Sequence, residues 1–274
     1  MMKKVPRFSA SLILVFFLGF FFAGGGELFR PEMLSRLGQW AAACVTPAAS
    51  QGSDSPQGGQ SKDEATAAAR FRRLVFLREA VEERKPKEHF IPVDALPDAL
   101  IKAVVAVEDS RFYSHPGFDL EGIFRAALVN LQSGEIDEGA STITQQLVKN
   151  LFLSQERSFV RKTEELALAV DLEYCYSKDE ILSLYLNTIY FGSGYYGIYA
   201  AAHGYFGKEP GELTLPEAAM LAGLPNAPSL YSPYENFLLA KKRQCIVLDA
   251  MVRTGVLDEH LAESAKIAPL YLAH

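Results

Sequence analysis

The stretch LPDALIKAVVAVEDSRFYSHPGFD, Leu96 to Asp119, is an apolar run that ends in two adjacent carboxylates and a His-Pro-Gly turn. Ile101, Val104, Val105, Glu108 and Phe112 fall at i, i+3, i+4, i+7 and i+11, so helical periodicity puts four apolar residues and one acid on a single stripe. Glu108 therefore points where the core does. Partial burial disfavours its charged form, raises its proton affinity and suits it to proton transfer near neutral pH. Asp109 falls off the stripe by about 100° and is better placed to orient neighbours or a cation. His115 reads either as a turn residue or as a polar contact to a ligand.

Around this stretch the pattern stays helical, with no run of alternating strands, which predicts a compact, mainly α domain. Pro97 is read in the first turn of the helix through Glu108. Thr142 with Gln145, and Ser177 with Glu180, form capping-box patterns ahead of QQLVKNLFL and ILSLYLNTIYF. Thr214 and Pro216 begin LPEAAMLAGL, and LAKKRQCIVLDAMV supplies a last long amphipathic segment.

The N-terminal part has a different character. Lys3, Lys4 and Arg7 precede an apolar run from Phe8 to Gly26, close to the roughly 20 residues that span a bilayer. The positive flank places the N-terminus in the cytoplasm and exports the chain beyond the apolar run. A cleaved signal peptide is the rival reading, although the A-x-A pattern is missing. The expected layout is 1–26 cytoplasmic tip and transmembrane anchor, 27–62 juxtamembrane helix and flexible tether, 63–91 amphipathic lead-in, and 92–274 catalytic domain. In the lead-in, Leu74, Leu77 and Val81 share one side.

The chain of 274 residues has a formal net charge of -6 and a pI near 5.5. That balance argues against general nucleic-acid binding, which needs clustered Lys and Arg, so an anionic ligand must be met locally. Cys44, Cys175 and Cys245 match no metal-ligand spacing and are expected to be buried thiols. H-E-x-x-H is absent.

Two further constellations carry chemistry. In GASTITQQLVKN, Gly139 to Asn150, the residues Thr142, Gln146, Lys149 and Asn150 share a face. Its hydroxyl, amides and single cation suit a sugar or phosphate, while an ordinary solvated face is the plain alternative. In RKTEELALAVDLEY, Arg161 to Tyr174, Glu165 leads the apolar stripe of Leu168, Ala169 and Leu172, with Arg161 one turn earlier. A surface ion pair is the plain alternative there. Two acids at core edges, with Lys149, Arg161 and Lys162 near in sequence, suggest glycosyl chemistry on a phosphate-bearing donor.

Taken together, E-D-x-x-F-x-x-H-x-G-F-D (Glu108 to Asp119), G-x-S-T-I-T-Q-Q-L-x-K-N (Gly139 to Asn150), R-K-x-x-E (Arg161 to Glu165) and K-x-x-I-L-x-x-Y-L-N (Lys178 to Asn187) resemble the motifs of the peptidoglycan glycosyltransferases, glycosyltransferase family 51. The resemblance runs from about Pro92 to about Val256. It implies a lysozyme-like α-helical head with a small membrane-facing jaw, preceded by one transmembrane helix. The implied reaction is the polymerisation of lipid II into β-1,4 glycan strands, with inversion and release of undecaprenyl pyrophosphate. Glu108 falls on the family's general base, and Glu165 on a second glutamate acting at the donor pyrophosphate. Asp109, Phe112, His115, Thr142, Gln146, Lys149, Asn150 and Arg161 fall on positions used for substrate contacts or site support. A divalent cation, Mg or Mn, is implied with the donor pyrophosphate, its protein ligands left open.

Implied partners are lipid II, the growing glycan strand, the membrane, and a transpeptidase or the division and elongation proteins. The implied place is the bacterial cytoplasmic membrane, single-pass, with the catalytic domain outside. Neither S-x-x-K nor K-T-G occurs, so the likeness is to the monofunctional form. One departure stands out: Ser183 occupies a position where the family usually has Glu, so a supporting carboxylate is missing. A glycan-cleaving enzyme of lysozyme type and a non-catalytic wall-assembly scaffold are the alternatives. The first would share one Glu but has no need of Lys149 and Arg161, and the intact Glu108 and Glu165 speak against the second.

Overall fold

The computed structural model describes residues 76–122, 141–153 and 159–273. The expected anchor, juxtamembrane helix and tether, and the lead-in as far as residue 75, lie outside the described residues. Within them run α1 (Leu77–Arg84), α2 (Asp98–Glu108), α3 (Ile143–Phe152), α4 (Phe159–Cys175), α5 (Lys178–Thr188), α6 (Gly197–Phe206), α7 (Leu215–Gly223), α8 (Pro228–Tyr231), α9 (Phe237–Arg253) and α10 (Glu259–Ile267). Sheet-type pairing among the described residues is limited to one isolated bridge, Tyr190 to Tyr196, so the architecture is mainly helical as expected.

Local chemistry starts several of these helices where the pattern places them. The Thr142 hydroxyl accepts from the Gln145 N–H while the Gln145 side chain accepts from the Thr142 N–H, and the same reciprocal box opens α5 at Ser177 and Glu180. A third box, Thr214 with Glu217, opens α7 with Pro216 in its first turn. Each such cap contributes about 1 kcal/mol. α2 begins at Asp98, one residue later than the sequence suggests, with Pro97 as its cap. The closing helix α10, capped by Asp258, has no counterpart in the sequence reading.

Two groups of helices build the core. α2, α7 and α9 pack on one another, and α3 packs on both α4 and α5. Alanines at 218, 219 and 222 keep α7 thin, and a Cβ on Gly223 would lie 2.8 Å from Cγ of Arg243 in α9. Because α7 and α9 both cover α2, its burial spreads beyond the expected stripe. Leu100, Ala103, Val104 and Ala106 are buried, whereas Ile101 and Val105 are only half-buried.

The described end of the lead-in belongs to this same core. Leu77 and Val81 are buried, as their spacing predicts. Asn187 in α5 then fastens the segment between α1 and α2, accepting from the Ile91 N–H at 2.9 Å and donating to the Ile91 carbonyl at 2.7 Å and to that of Ser183 at 2.8 Å. The unusual Ser183 is part of this seam: its hydroxyl accepts from the Val93 N–H at 2.9 Å and donates to the Asp179 carbonyl at 2.7 Å. A serine thus serves two backbone groups that a carboxylate, which only accepts, could not serve together.

Two expectations need correction or limit. Cys175 and Cys245 are free but half-buried rather than core thiols, because Cys175 is the last residue of α4 and Cys245 stands off the α9 stripe of Ala240, Gln244, Val247, Leu248 and Met251; Cys44 lies outside the described residues. Among the described residues no helix is long and apolar enough to cross a membrane.

Replacing Asn187 by Ala strands both backbone groups of Ile91. At about 0.5–1.5 kcal/mol for each of these partly buried hydrogen bonds, the loss should reach roughly 1–3 kcal/mol. Urea unfolding of the two proteins checks this, and an unchanged midpoint would show that the seam contributes nothing.

Candidate active site

The last turn of α2 delivers the two acids to the junction of the helix groups. The Glu108 side chain is only 6% exposed. Its Oε2 accepts from Nε2 of Gln146 in α3 at 2.8 Å, and Gln146 Oε1 in turn accepts from the Tyr185 hydroxyl of α5 at 3.1 Å. Its Oε1 is buried and accepts no hydrogen bond from the described residues; Nη2 of Arg243 in α9 stands 3.7 Å away. Burial pushes the Glu108 carboxyl up from the ordinary carboxylate range. The Gln146 hydrogen bond and the Arg243 charge pull it partly back, while the Asp109 charge adds to the rise. Burial also raises the Tyr185 phenol well above its usual value, so it stays a donor.

Asp109 turns the other way and organises its surroundings. Both of its oxygens lie 3.0 Å from Nε2 of His115, and Oδ2 also accepts from the Ile143 N–H at 3.0 Å. From just past the end of α2 it therefore caps α3, satisfying a donor that the helix cannot satisfy itself. The turn after it is fixed at several points. The Thr142 hydroxyl donates to the Gly117 carbonyl at 2.7 Å, and Lys178 donates to the His115 carbonyl at 2.7 Å while lying 4.4 Å from the Phe112 ring centroid. Gly117 has φ +91°, and a Cβ there would come within 2.8 Å of the Ala169 carbonyl oxygen of α4. Asp109, Phe112, His115 and Thr142 are all buried. They hold the site from behind.

The second acid sits in α4. Glu165 is 2% exposed, one oxygen accepting from Arg161 at 2.7 Å and the other from Lys162. Lys162 also reaches the Ser141 hydroxyl at 3.3 Å, at the entry to α3. The face read from the sequence on α3 is divided. Thr142 and Gln146 are used internally, Lys149 is half-buried and makes no ion pair among the described residues, and Asn150 is exposed. Asn150 lines a cavity of about 720 Å³ together with Arg84, His89, Tyr190 and Tyr196.

Sequence reasoning missed Arg243 and Tyr185. Arg243 and Gln244 fall on the stripe of Ala240, Val247, Leu248 and Met251, so a cation on an apolar stripe was the available signal, the same one that exposed Glu108. Tyr185 lies in the buried run Ile181–Asn187, where a phenol needs a partner. The residues around Glu165 do not fit a protein-built metal site: both carboxylate oxygens already face cations, and among the described residues no group of three or more His, Cys, Asp or Glu is placed to hold a metal ion.

Known proteins share this chain's pattern. The family model described as Transglycosylase matches residues 76–252. A Cupriavidus necator protein provisionally named a transglycosylase is 45% identical over 183 residues, which cover 67% of this chain and 79% of that protein. Penicillin-binding protein 1A of Aquifex aeolicus is 47% identical over 184 residues, covering 67% of this chain and 25% of the relative. For the Escherichia coli protein of that name the figures are 50% over 169 residues, 62% and 20%. The chain thus spans a quarter or less of the length of these penicillin-binding relatives.

The raised Glu108 carboxyl has a consequence for stability. Its folded form holds a proton more tightly than the unfolded chain, so wild-type stability falls as pH rises from the ordinary carboxylate value, about 4.3, through the raised one. Glu108→Gln removes that loss. Chemical denaturation at pH 4 and pH 8 should show the variant gaining on wild type as pH rises, whereas a gap independent of pH would contradict the assigned environment.

Proposed function

This chain belongs to the transglycosylase family, and we propose that it is a peptidoglycan glycosyltransferase that polymerises lipid II into β-1,4 glycan strands. The observation that carries this reading is the Glu108 carboxylate: buried, held through one oxygen by Gln146, with the other oxygen uncommitted and facing Arg243. A base poised this way can take the proton from the 4-hydroxyl of an acceptor sugar. The hydroxyl oxygen bonds to the anomeric carbon of the donor on the face opposite its pyrophosphate, the bond to pyrophosphate breaks with its electron pair, and the proton ends on Glu108.

Pyrophosphate is a better leaving group than the alkoxide that a glycosidase must protonate, so its charge needs cations rather than a second acid. Arg161 and Lys162, both held by Glu165, and Lys149 supply them. Glu165 is arranged for charge pairing, fixing two flexible cations where the donor's phosphates arrive. A divalent cation, Mg or Mn, would in this reading arrive with the donor and supply further positive charge for the leaving pyrophosphate. Asn150, exposed one turn beyond Gln146, is left to contact sugar or peptide.

The mainly helical fold supports a lysozyme-like head, and a jaw toward the membrane belongs to the same reading. The apolar Phe8–Gly26 run supports a single-pass anchor in the bacterial cytoplasmic membrane, with the catalytic domain outside. A lipid-linked donor confined to the bilayer then meets a tethered enzyme at high effective concentration. Cross-linking of the strands would fall to a transpeptidase partner within the division or elongation apparatus.

Full-length protein incubated with lipid II and Mg or Mn should produce glycan chains resolvable on a gel, and Glu108→Gln should lower the rate by about 10²–10⁴-fold. No polymer from the wild type would overturn the proposed activity, and equal polymer from the variant would overturn the assignment of the base.

A further inference from the structure

Arg243 is the cation nearest in role to the proposed base, yet it lies outside every motif that suggested the function. It approaches from α9, and three features fix it there. Its Nε donates to the Gly223 carbonyl at 3.2 Å, its guanidinium lies 5.7 Å from the Tyr231 ring centroid, and its side chain is only 12% exposed. Gly223 is needed for that path, because a Cβ would meet Arg243 Cγ at 2.8 Å. The guanidinium then stands 3.7 Å from Glu108 Oε1, too far to occupy the oxygen's lone pairs with a hydrogen bond and near enough to act on its charge.

We propose that Arg243 is a positioning residue for the reaction: it holds Glu108 ionised and correctly turned while leaving Oε1 open to receive the acceptor's proton. This rests on the reading of Glu108 as the base. The other groups facing Glu108 cannot replace it. Gln146 of α3 and Tyr185 of α5 are neutral. Asp109 is an anion whose charge opposes ionisation, partly met by His115. On α7, which packs against α2, Glu217 is turned to Lys208 instead. Without the α9 cation, burial and Asp109 would act on Glu108 with only the Gln146 hydrogen bond against them, and a larger share of the enzyme would carry a protonated, inactive base at neutral pH.

The test measures the acidic limb of the kcat/KM profile for glycan polymerisation in wild type, Arg243→Gln, Arg243→Lys and Gly223→Ala. In the same full-length proteins the Glu108 carboxyl is titrated by ¹³C NMR, a readout independent of turnover. In Arg243→Gln both midpoints should move up by about one pH unit or more, a tenfold change in the ionisation constant, with activity returning at high pH. Arg243→Lys, which keeps the charge but not the fork, should stay nearer to wild type in midpoint and lose kcat. Gly223→Ala, which displaces the arginine without altering its charge, should shift in the same direction as Arg243→Gln but less. An unmoved Glu108 midpoint in Arg243→Gln, with activity lost equally at every pH, would overturn the proposal and leave Arg243 a packing residue. A Glu108→Gln protein that still polymerises would overturn the parent reading and this role with it; a Glu108 midpoint still displaced in Arg243→Gln would mark that failure as the base's.

Discussion

Two carboxylates buried side by side at the end of α2 are the constraint around which the rest is arranged. Two adjacent anions in a low-dielectric setting repel each other and are costly to desolvate, so each must be met from a different direction. Asp109 is met by His115 and by the N-terminus of α3, and Glu108 by Gln146 and Arg243. These demands recruit partners from α3 and α9, with Tyr185 of α5 behind Gln146. Satisfying the pair therefore ties the α2, α7 and α9 group to the α3, α4 and α5 group. The site and the junction between helix groups are one feature.

The asymmetry within the pair reflects how completely each acid is satisfied. Asp109 accepts through both oxygens and its surroundings are closed by the Phe112 and His115 turn, which makes it a fixed anchor. Among the described residues Glu108 is left with one oxygen free of hydrogen bonds, a condition that costs stability and that a structural carboxylate would not keep. Functional sites are where such costs persist. Farther along the chain, Glu165 solves the opposite problem. On a protein of net charge -6 it concentrates two cations at one place, the local provision that the proposed anionic donor would require.

Much of this was legible because periodicity marks polar residues that share a stripe with apolar ones. Glu108 and Glu165 could be found that way, and the capping boxes at Thr142 and Ser177 fixed two helix starts from side-chain chemistry alone. Arg161 beside Glu165 was legible from spacing, but the partners of Glu108 were not, since Gln146 and Arg243 meet it, and Tyr185 meets Gln146, only through the packing of separate helices. The helical face of Thr142, Gln146, Lys149 and Asn150 looked like one surface, yet tertiary contacts turned its first two members inward. Ser183 likewise appeared as a lost carboxylate, whereas its neighbours Val93 and Asp179 show a hydroxyl placed to donate and accept. Residue type announced the need for a partner, and the fold alone decided which.

Wild-type Glu108 is a buried carboxyl whose proton affinity burial raises, while Arg243 and Gln146 pull it back toward ionisation. A site-resolved titration of its side-chain carboxyl in the wild-type protein, by ¹³C NMR with Glu108→Gln used for assignment, measures this directly. A midpoint clearly above the ordinary glutamate value of about 4.3 is predicted. A midpoint at or below that value would contradict it, and would place Glu108 among the solvated helix-end acids rather than at the centre of the site.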